Sequence, residues 1–338
     1  MNEARFESIT SKYERLRIVV AGDFCLDRYL EIDPGKAETS IETGLPVHNV
    51  VNVRAQPGAA GTILNNLVAL GIGQIFPVGF CGEDGEGYEL RRALGAKSGV
   101  KTNGFVQTSE RRTFTYCKPL VMSQGQPPVE LNRLDSKNWT PTPAPIEGQL
   151  IRNLLSLADA ADAVVLMDQV DIPETGVVTR KLLATVRDLT TRMPHLPILA
   201  DSRRGLHDFP PVIFKMNAAE LSALAGTKVG LSLEEIKVTA QELAHKNSRA
   251  VFITAAEHGM VCATPSGGAE HVAALPVRGP IDIVGAGDAV TANLAAALAA
   301  GADAREALEL GNAAASVVIH QLGTTGTAGV QQIRQLLT

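Results

Sequence analysis

The chain has 338 residues and a formal net charge of −5, and no segment concentrates the Lys and Arg that a nucleic-acid-binding surface needs. Hydrophobic residues make up 45% of the chain and aromatic residues only 4%, a balance typical of helix-covered parallel sheets with aliphatic cores. The charged N-terminus lacks the apolar region of a signal peptide, and no apolar run is long enough to span a bilayer. We therefore expect a cytoplasmic protein with no nucleic-acid or membrane partner.

The four cysteines are scattered without the close spacing that marks a zinc site or a disulfide framework. We expect reduced and mostly buried thiols.

The first 135 residues are predicted to form two strand–helix units followed by a small flap. In the first unit, an irregular segment separates the strand from the helix. The apolar sequence RIVVAG predicts a buried strand at 17–22, and the polar segment after it predicts irregular structure to residue 53. Pro57 and Gly58 precede a helix that ends near Leu70. The next predicted elements are a strand at 75–80, a helix at 84–94, and the antiparallel strands of a small flap near 104–107, 112–118 and 129–134.

From residue 147 onwards, strands and helices alternate regularly. Strands are predicted at 163–168, 197–201, 212–217 and 250–264, with helices between them, including one at 174–191, and helices from there to the C-terminus. Such alternation predicts an α/β fold with a mainly parallel sheet covered by helices on both faces. The Pro-rich segment 138–148 is interpreted as the return from the flap to this body.

Most phosphate-binding motifs of α/β proteins are absent. The P-loop pattern fails because Ala37 follows Gly35 and Lys36, and GIGQIF at 71–76 indicates a tight turn rather than a dinucleotide site. The segment DIVGAGDAV at 282–290 remains, in which small residues and Asp288 open an alanine-rich helix. The acid could simply complement the helix dipole, or it could act as a base beside N–H groups that bind an oxyanion.

The second interpretation is supported by a resemblance to the ribokinase-type sugar kinases, the phosphofructokinase B group. DIVGAGDAV is similar to that family's D-T-x-G-A-G-D signature. Further similar segments follow in the family's order: GDFCLDRY (22–29), PGAAGTILNNLVALG (57–71), NRLD (132–135), KMNAAELSALAG (215–226) and NAAASVVIHQLGT (312–324). The first, third and last of these are most similar to the bacterial heptose-phosphate kinase domain.

The resemblance implies a single ribokinase-like domain over residues 1–338. Its fold would be a three-layer α/β/α sandwich with a small β lid, formed by inserted segments at about 28–54 and 104–135. It also implies an ATP-dependent kinase that phosphorylates a hydroxyl of a sugar or sugar phosphate. The apolar side chains of FTYCKPLVM (114–122), which we expect to be exposed on the lid, favour a homodimer formed through it.

The resemblance assigns catalytic and acceptor-binding roles to particular residues. Asp288 would be the base, and Gly285, Ala286 and Gly287 would form the anion hole. Asp27 would hold sugar hydroxyls, although a turn acid at a strand end would look the same. The remaining acceptor-binding candidates are Gly58, Thr62, Arg112 and Arg133, of which the two arginines could meet a substrate phosphate or lie on a solvated surface.

The nucleotide and its metal ion are assigned in the same way. Asn217 would contact ATP phosphates and Glu220 would organise Mg²⁺, although this pair also fits a helix cap with a capping-box acid. Further nucleotide-binding candidates are Thr254, Gly259, Asn312 and Ser316, which close helix packing explains almost as well.

Several residues depart from the family pattern. Ala59 and Thr62 replace a glycine and an asparagine at the sugar site, and Ala255 stands where the heptose kinases have an arginine. These changes keep two other functions open: a catalytically weak sugar or nucleotide sensor on the same fold, and a kinase of a non-sugar alcohol such as a nucleoside.

Overall fold

Continuous apolar strands such as Ala163–Asp168 are stable only where both faces of a sheet are covered. The computed structural model, which describes residues 1–337, shows this arrangement. Val165 packs into one hydrophobic cluster, whereas Val164 and Leu166 pack into a second cluster on the opposite face. The predicted three-layer α/β/α architecture is confirmed.

The secondary structure comprises strands and helices in regular alternation over most of the chain. The strands are β1 (Arg17–Gly22), β2 (Phe24–Ile32), β3 (Glu38–Thr39), β4 (Pro46–Val47), β5 (Val50–Ala59), β6 (Gln74–Val78), β7 (Phe80–Gly82), β8 (Val106–Thr108), β9 (Thr115–Val121), β10 (Val129–Glu130), β11 (Leu134–Ser136), β12 (Ala163–Asp168), β13 (Ile198–Ser202), β14 (Ile213–Asn217), β15 (Val251–Thr254), β16 (Met260–Ala263) and β17 (Ala269–Val272). The helices are α1 (Glu3–Thr10), α2 (Ala60–Ala69), α3 (Gly85–Gly95), α4 (Ala144–Ala158), α5 (Arg180–Arg192), α6 (Ala218–Ala225), α7 (Leu233–Asn247), α8 (Ala286–Ala299), α9 (Ala304–Val318) and α10 (Val330–Leu337).

The large sheet has the strand order β17-β16-β15-β14-β13-β12-β1-β6. Its strands are parallel from β6 to β15, and β16 and β17 are added antiparallel at one edge. Helices α1, α2, α3, α8, α9 and α10 contribute to the hydrophobic cluster on one face, and α4 to α7 to the cluster on the other. The carboxyl ends of the parallel strands therefore share one edge, where open α/β sheets bind ligands.

The lid is a second sheet of five strands, with the order β10-β9-β2-β5 and with β11 also paired to β9. β2 pairs with β5 antiparallel and with β9 in parallel. Because side chains alternate along a strand, Asp27 and Tyr29 of β2 share one face with Tyr116 and Lys118 of β9, which lie opposite them in register.

Several predicted boundaries were wrong. The polar segment before residue 54 is not irregular, because β2 and β5 form the long hairpin of the lid, and β8 pairs with β7 rather than joining the lid. Helix α5 begins at Arg180 instead of 174, because Thr179 caps it and the Val177 N–H of the preceding loop donates to Asp23. Beyond residue 264 the chain forms β17 before its next helix.

Most apolar side chains of the segment 114–122 are buried, contrary to the prediction, and only Met122 at its end is exposed. Phe114, Tyr116 and Leu120 are each only 8% exposed, and the first two pack against Cys25 and Ala59. The other exposed apolar side chains of the lid segments lie outside that stretch and are Ile41, Leu45, Val50, Val51, Val53, Val129 and Leu134.

Two expectations from composition can be compared with the fold. The four cysteines, Cys25, Cys81, Cys117 and Cys262, are buried free thiols, as predicted. Among the helices of residues 1–337, none is both long enough and apolar enough to cross a membrane.

Candidate active site

The first turn of α8 presents unpaired N–H groups beside a carboxylate. Gly285 caps the helix with a φ of 81°, and a side chain there would place its Cβ 2.6 Å from Thr325 Cγ2, so both backbone conformation and space require glycine. Within the described chain the N–H groups of Gly285, Gly287 and Asp288 have no hydrogen-bond acceptor, whereas that of Ala286 donates to Ile283 O at 3.2 Å. Such a turn can bind an oxyanion.

Asp288 lies in this first turn and is partly exposed. Its pKa is raised to about 7, first because surrounding protein removes water and then because Asp201 and Asp27 repel a second negative charge, while Lys215 opposes the shift. A carboxyl group with this pKa can accept a proton near neutral pH.

Asp27 reaches the same region from the lid strand β2. It is 6% exposed, and Lys118 Nζ lies 3.4 Å from its Oδ1. Burial raises the pKa of Asp27, whereas Lys118 and Arg133 oppose that shift. A side chain at Gly58 would overlap the Asp27 carboxylate, so the glycine allows the two strands to bring this acid into the site.

Thr62 joins these residues from the first turn of α2. It is buried, and its Cγ2 lies 3.5 Å from the position that a Cβ on Gly285 would occupy. The structure therefore brings Asp27, Gly58 and Thr62 to the start of α8, although more than 220 positions separate them from Asp288 in the sequence.

The two predicted arginines lie in different places. Arg133 lies with its guanidinium carbon 4.4 Å from the centre of the Tyr116 ring and donates to both carboxylate oxygens of Asp135. Its positive charge opposes the rise in the pKa of Asp27, so the two side chains are electrostatic neighbours. Arg112 instead lies near Asp84 and Glu86 at the start of α3. The structure thus groups Arg133, and not Arg112, with Asp27.

Asn217 and Glu220 form the start of α6. The Asn217 side chain accepts from the Glu220 N–H, and Glu220 Oε2 accepts from the Asn217 N–H, so the capping box is present. Burial is the main reason that the pKa of Glu220 is raised, and Asp201 adds to the shift. Glu220 therefore shares the electrostatic environment of the α8 turn.

Glu220 offers carboxylate oxygens, which suit Mg²⁺. Within residues 1–337 no group of three or more His, Cys, Asp or Glu side chains could hold a metal ion by itself. A Mg²⁺ ion at this site would therefore need water and phosphate oxygens for most of its ligands.

Two charged residues of the site were missed from the sequence. Lys215 Nζ donates to Asp201 Oδ2 at 2.7 Å, and Thr291 of α8 donates to the same oxygen at 2.9 Å. The signal that could have found them is a lysine inside the apolar strand VIFKMN and an aspartate at the end of PILAD. A charged residue in a buried strand requires a partner.

The candidate nucleotide-binding residues lie at the carboxyl end of β15, in the turn that follows it, and on helix α9. Gly259 lies against the backbone of Val272 and Ala274, and Asn312 Nδ2 donates to Ala273 O at 2.9 Å. Ser316 lies one helical turn beyond Asn312, and its buried hydroxyl has no hydrogen-bond partner in the described chain. Thr254 is the last residue of β15 and is partly exposed.

Comparisons with known proteins give one consistent result. The profile of the family described as pfkB family carbohydrate kinase matches residues 24–329. The bifunctional protein HldE of Trichlorobacter lovleyi is 30% identical over 335 residues, which cover 96% of this chain and 64% of that protein. HldE of Coxiella burnetii is 34% identical over 335 residues, covering 97% and 65%. The chain thus spans slightly less than two thirds of the length of these relatives.

Solved structures show the same fold. Arabidopsis thaliana ribokinase complexed with ribose and ATP superposes with a TM-score of 0.67 at 20% identity, covering 96% of this chain and 99% of that one. Escherichia coli phosphofructokinase-2 in complex with substrates and products gives a TM-score of 0.73 at 18% identity, covering 95% and 98%. The predicted ribokinase-like fold is confirmed.

Proposed function

Because the chain belongs to the pfkB family of carbohydrate kinases, we propose that it transfers the γ-phosphoryl group of ATP to a hydroxyl of a sugar or sugar phosphate, with Asp288 as the base. The activity of the family is the ATP-dependent phosphorylation of carbohydrates. The residues that perform it in this chain, the metal ion and the class of acceptor are the proposal.

The observation that carries the proposal is the pairing, in one helical turn, of a carboxyl group with a pKa of about 7 and N–H groups without acceptors. The acceptor hydroxyl gives its proton to Asp288 as its oxygen forms a bond to the γ-phosphorus. The bond from that phosphorus to the bridging oxygen breaks, and ADP leaves with the electron pair. The free N–H groups of Gly285 and Gly287 stabilise the charge on the transferred group, whereas the N–H of Ala286, also expected in the anion hole, is bonded to Ile283 O.

Asp27 positions the acceptor. A buried carboxylate accepts hydrogen bonds from sugar hydroxyls strongly, because water does not compete for it. Gly58 and Thr62 form the adjacent wall of this subsite, and Arg133 faces it from the lid. Closure of the lid over the acceptor would exclude water and so prevent hydrolysis of ATP.

The nucleotide would lie along the edge formed by Thr254, Gly259, Asn312 and Ser316. The buried Ser316 hydroxyl without a partner supports this location, since such a group normally finds a hydrogen bond. Asn217 would contact the phosphates, and Glu220 would hold Mg²⁺ through water. When bound, the ion supplies positive charge to the phosphate oxygens.

Three broader features belong to the same proposal. Residues 1–338 form one domain with the lid inserted in it, and the protein works in the cytoplasm, where ATP is available. The lid forms a homodimer through the exposed valines of β5, Val50, Val51 and Val53. Sedimentation equilibrium that gives a monomer at micromolar concentration would exclude the dimer.

The test of the function is turnover with a panel of sugars and sugar phosphates, followed by the Asp288→Asn variant. Asparagine keeps the size of the side chain but cannot accept the proton, so kcat should fall by about 10²–10⁴-fold with little change in ATP affinity. In the unaltered enzyme, kcat/KM should fall below about pH 7, because the protonated carboxyl cannot act as a base.

The matched control is Asp303→Asn, which changes another acid at the start of a helix. Asp303 caps α9 in a capping box, and asparagine serves as a cap about equally well, so kcat should remain near its normal value. Equal activity of Asp288→Asn and Asp303→Asn would refute the assignment of the base. No ATP consumption with any member of the panel would instead favour the sensor.

A further inference from the structure

Lys215 is a buried cation that connects three elements beneath the proposed anion hole. It lies in β14 with 6% of its surface exposed, and its Nζ donates to Asp201 Oδ2 of β13 at 2.7 Å. The hydroxyl of Thr291, in the second turn of α8, donates to the same oxygen at 2.9 Å. The ion pair is therefore attached to the helix that carries Asp288.

The ammonium group also lies directly against the first turn of α8. A side chain at Gly287 would place its Cβ 2.9 Å from Lys215 Nζ, so only glycine leaves room for the cation. In the part of the chain that the structure describes, Asp201 is the only hydrogen-bond acceptor of Lys215 Nζ, although an ammonium group has three donors. The group can therefore serve a second anion while it keeps this partner.

Stability alone does not account for this arrangement. Removing two charges from water is costly, and a buried ion pair is often no more stable than apolar side chains of the same size. A helix N-terminus also carries partial positive charge, which makes it an unfavourable neighbour for a lysine. A cation in this position becomes favourable when negative charge is required in the same turn.

We propose that Lys215 is a positioning residue for phosphoryl transfer: its ammonium fixes the first turn of α8 through Asp201 and Thr291, and its charge keeps Asp288 available as a proton acceptor. This inference rests on the proposed role of Asp288. It is distinct from that role, because it concerns how the carboxylate is held and kept ionised rather than what it does to the substrate.

The charges around Asp288 support this role. Its other charged neighbours, Asp201 and Asp27, are carboxylates and favour its protonated form, whereas Lys215 favours the ionised form. Burial lowers the pKa of Lys215, but its carboxylate neighbours more than offset this, so the ammonium stays charged. Neighbouring elements bring five titratable groups close to Asp288 or to the ammonium group of Lys215. These are Cys25 and Asp27 of β2, Asp201 of β13, Lys215 itself in β14, and Glu220 of α6.

The test is a titration of the Asp288 carboxyl by NMR in the full chain with ¹³C-labelled aspartate, with Asp288→Asn identifying its signal. Lys215→Met keeps the length of the side chain and removes its charge, so the pKa of Asp288 should rise by about one unit. The ionised fraction at pH 7 would then fall about fivefold, and kcat should fall at least as much at pH 7 but partly recover at pH 9. The acceptor KM should change little.

Two further variants check the sign of the effect. Asp201→Asn removes a repelling carboxylate and should lower the pKa of Asp288, and the double variant Lys215→Met/Asp201→Asn should give an intermediate value. Lys215→Arg keeps the charge, so the pKa should stay near that of the unaltered protein. Lys97→Met, which removes a half-buried lysine outside the site, should leave both pKa and kcat unchanged.

An unchanged pKa of Asp288 in Lys215→Met, with the same fractional loss of kcat at pH 7 and pH 9, would overturn the inference and leave only a structural role. If Lys215→Met does not fold, the double variant is compared with Asp201→Asn instead. Equal pKa values of Asp288 in these two variants would also overturn the inference. The NMR titration requires no turnover. Failure of the proposed function would appear separately, as full activity of Asp288→Asn.

Discussion

The large parallel sheet and the lid sheet meet at one site but are built differently. Strand β12 of the large sheet is buried along its whole length, whereas β5 of the lid is exposed over its first six residues and buried only at its end. The large sheet is covered by helices on both faces, and its side chains are therefore fixed by packing. The lid has a small apolar cluster around Cys25 and Phe114, and its outer strand β5 leaves most of its length exposed.

Ion pairs show the same difference. In Lys215–Asp201 the side chains are 7% and 10% exposed, whereas in Arg133–Asp135 on the lid they are 40% and 23% exposed. Buried pairs are held strongly and resist change, while exposed pairs contribute about 0–1 kcal/mol and exchange readily with water or ligand. This contrast suggests that the large sheet fixes the reacting groups and that the lid adapts to the acceptor.

The largest expected effect tests the contrast in packing. Leu166→Ala, in a fully buried position of β12, should lower the free energy of unfolding by about 2–5 kcal/mol, because it leaves a cavity in a close-packed core. The matched lid variant Val53→Ala, at a side chain that is 44% exposed, should change it by less than about 1 kcal/mol. Urea denaturation measures both, and equal losses would show that the lid is packed as tightly as the body.

The second prediction concerns the acid that the lid contributes to the site. Asp27→Asn should lower kcat/KM for the acceptor by about 10–100-fold, because a hydrogen bond to a buried charged group is worth about 1.5–3 kcal/mol. The KM for ATP should stay the same. Asp135→Asn, on the exposed lid pair, is the control and should cost less than about tenfold. A change in ATP KM in Asp27→Asn would place Asp27 outside the acceptor subsite.

The sequence predicted the large sheet well because its elements are specified locally. Segments such as AVVLMD and VIFKMN are apolar over a strand length, and the helices between them carry caps or turn residues at their ends. The expectation that Asp27 and Gly58 share a site came from the family resemblance. The structure supplies the physical reason, since any larger residue at Gly58 would overlap the Asp27 carboxylate.

The half of the lid formed by β2 and β5 was predicted poorly because these strands depend on partners far away in the chain. Residues 50–56 read VVNVRAQ, with few buried positions, and they form a strand only by pairing with β2. β2 in turn pairs with β9, about 90 residues later, and no local pattern encodes that contact. Lys215 and Asp201 were missed for a related reason, since each appears isolated in its own strand until the sheet brings them together.

The smallest expected effect lies at Ala59, where the two regions join. Ala59 is the last residue of β5 and also the residue that caps α2, so the chain passes through it from the lid into the body. Its φ of 54° and ψ of −117° are a conformation that residues with a Cβ rarely adopt, and such strain costs about 1–3 kcal/mol.

Ala59→Gly should therefore leave the free energy of unfolding unchanged or raise it by up to about 1 kcal/mol. Relief of strain is opposed by the greater freedom of glycine in the unfolded chain and by the loss of one buried methyl group against Cys25 and Phe114. The same substitution at an unstrained helical position, Ala295→Gly in α8, should lower the free energy of unfolding by at least about 1 kcal/mol. Urea denaturation of the two variants side by side isolates the backbone term, because both remove the same buried methyl group. If Ala59→Gly were as destabilising as Ala295→Gly, the junction would be unstrained, and the departure from glycine at this position would carry no cost to the fold.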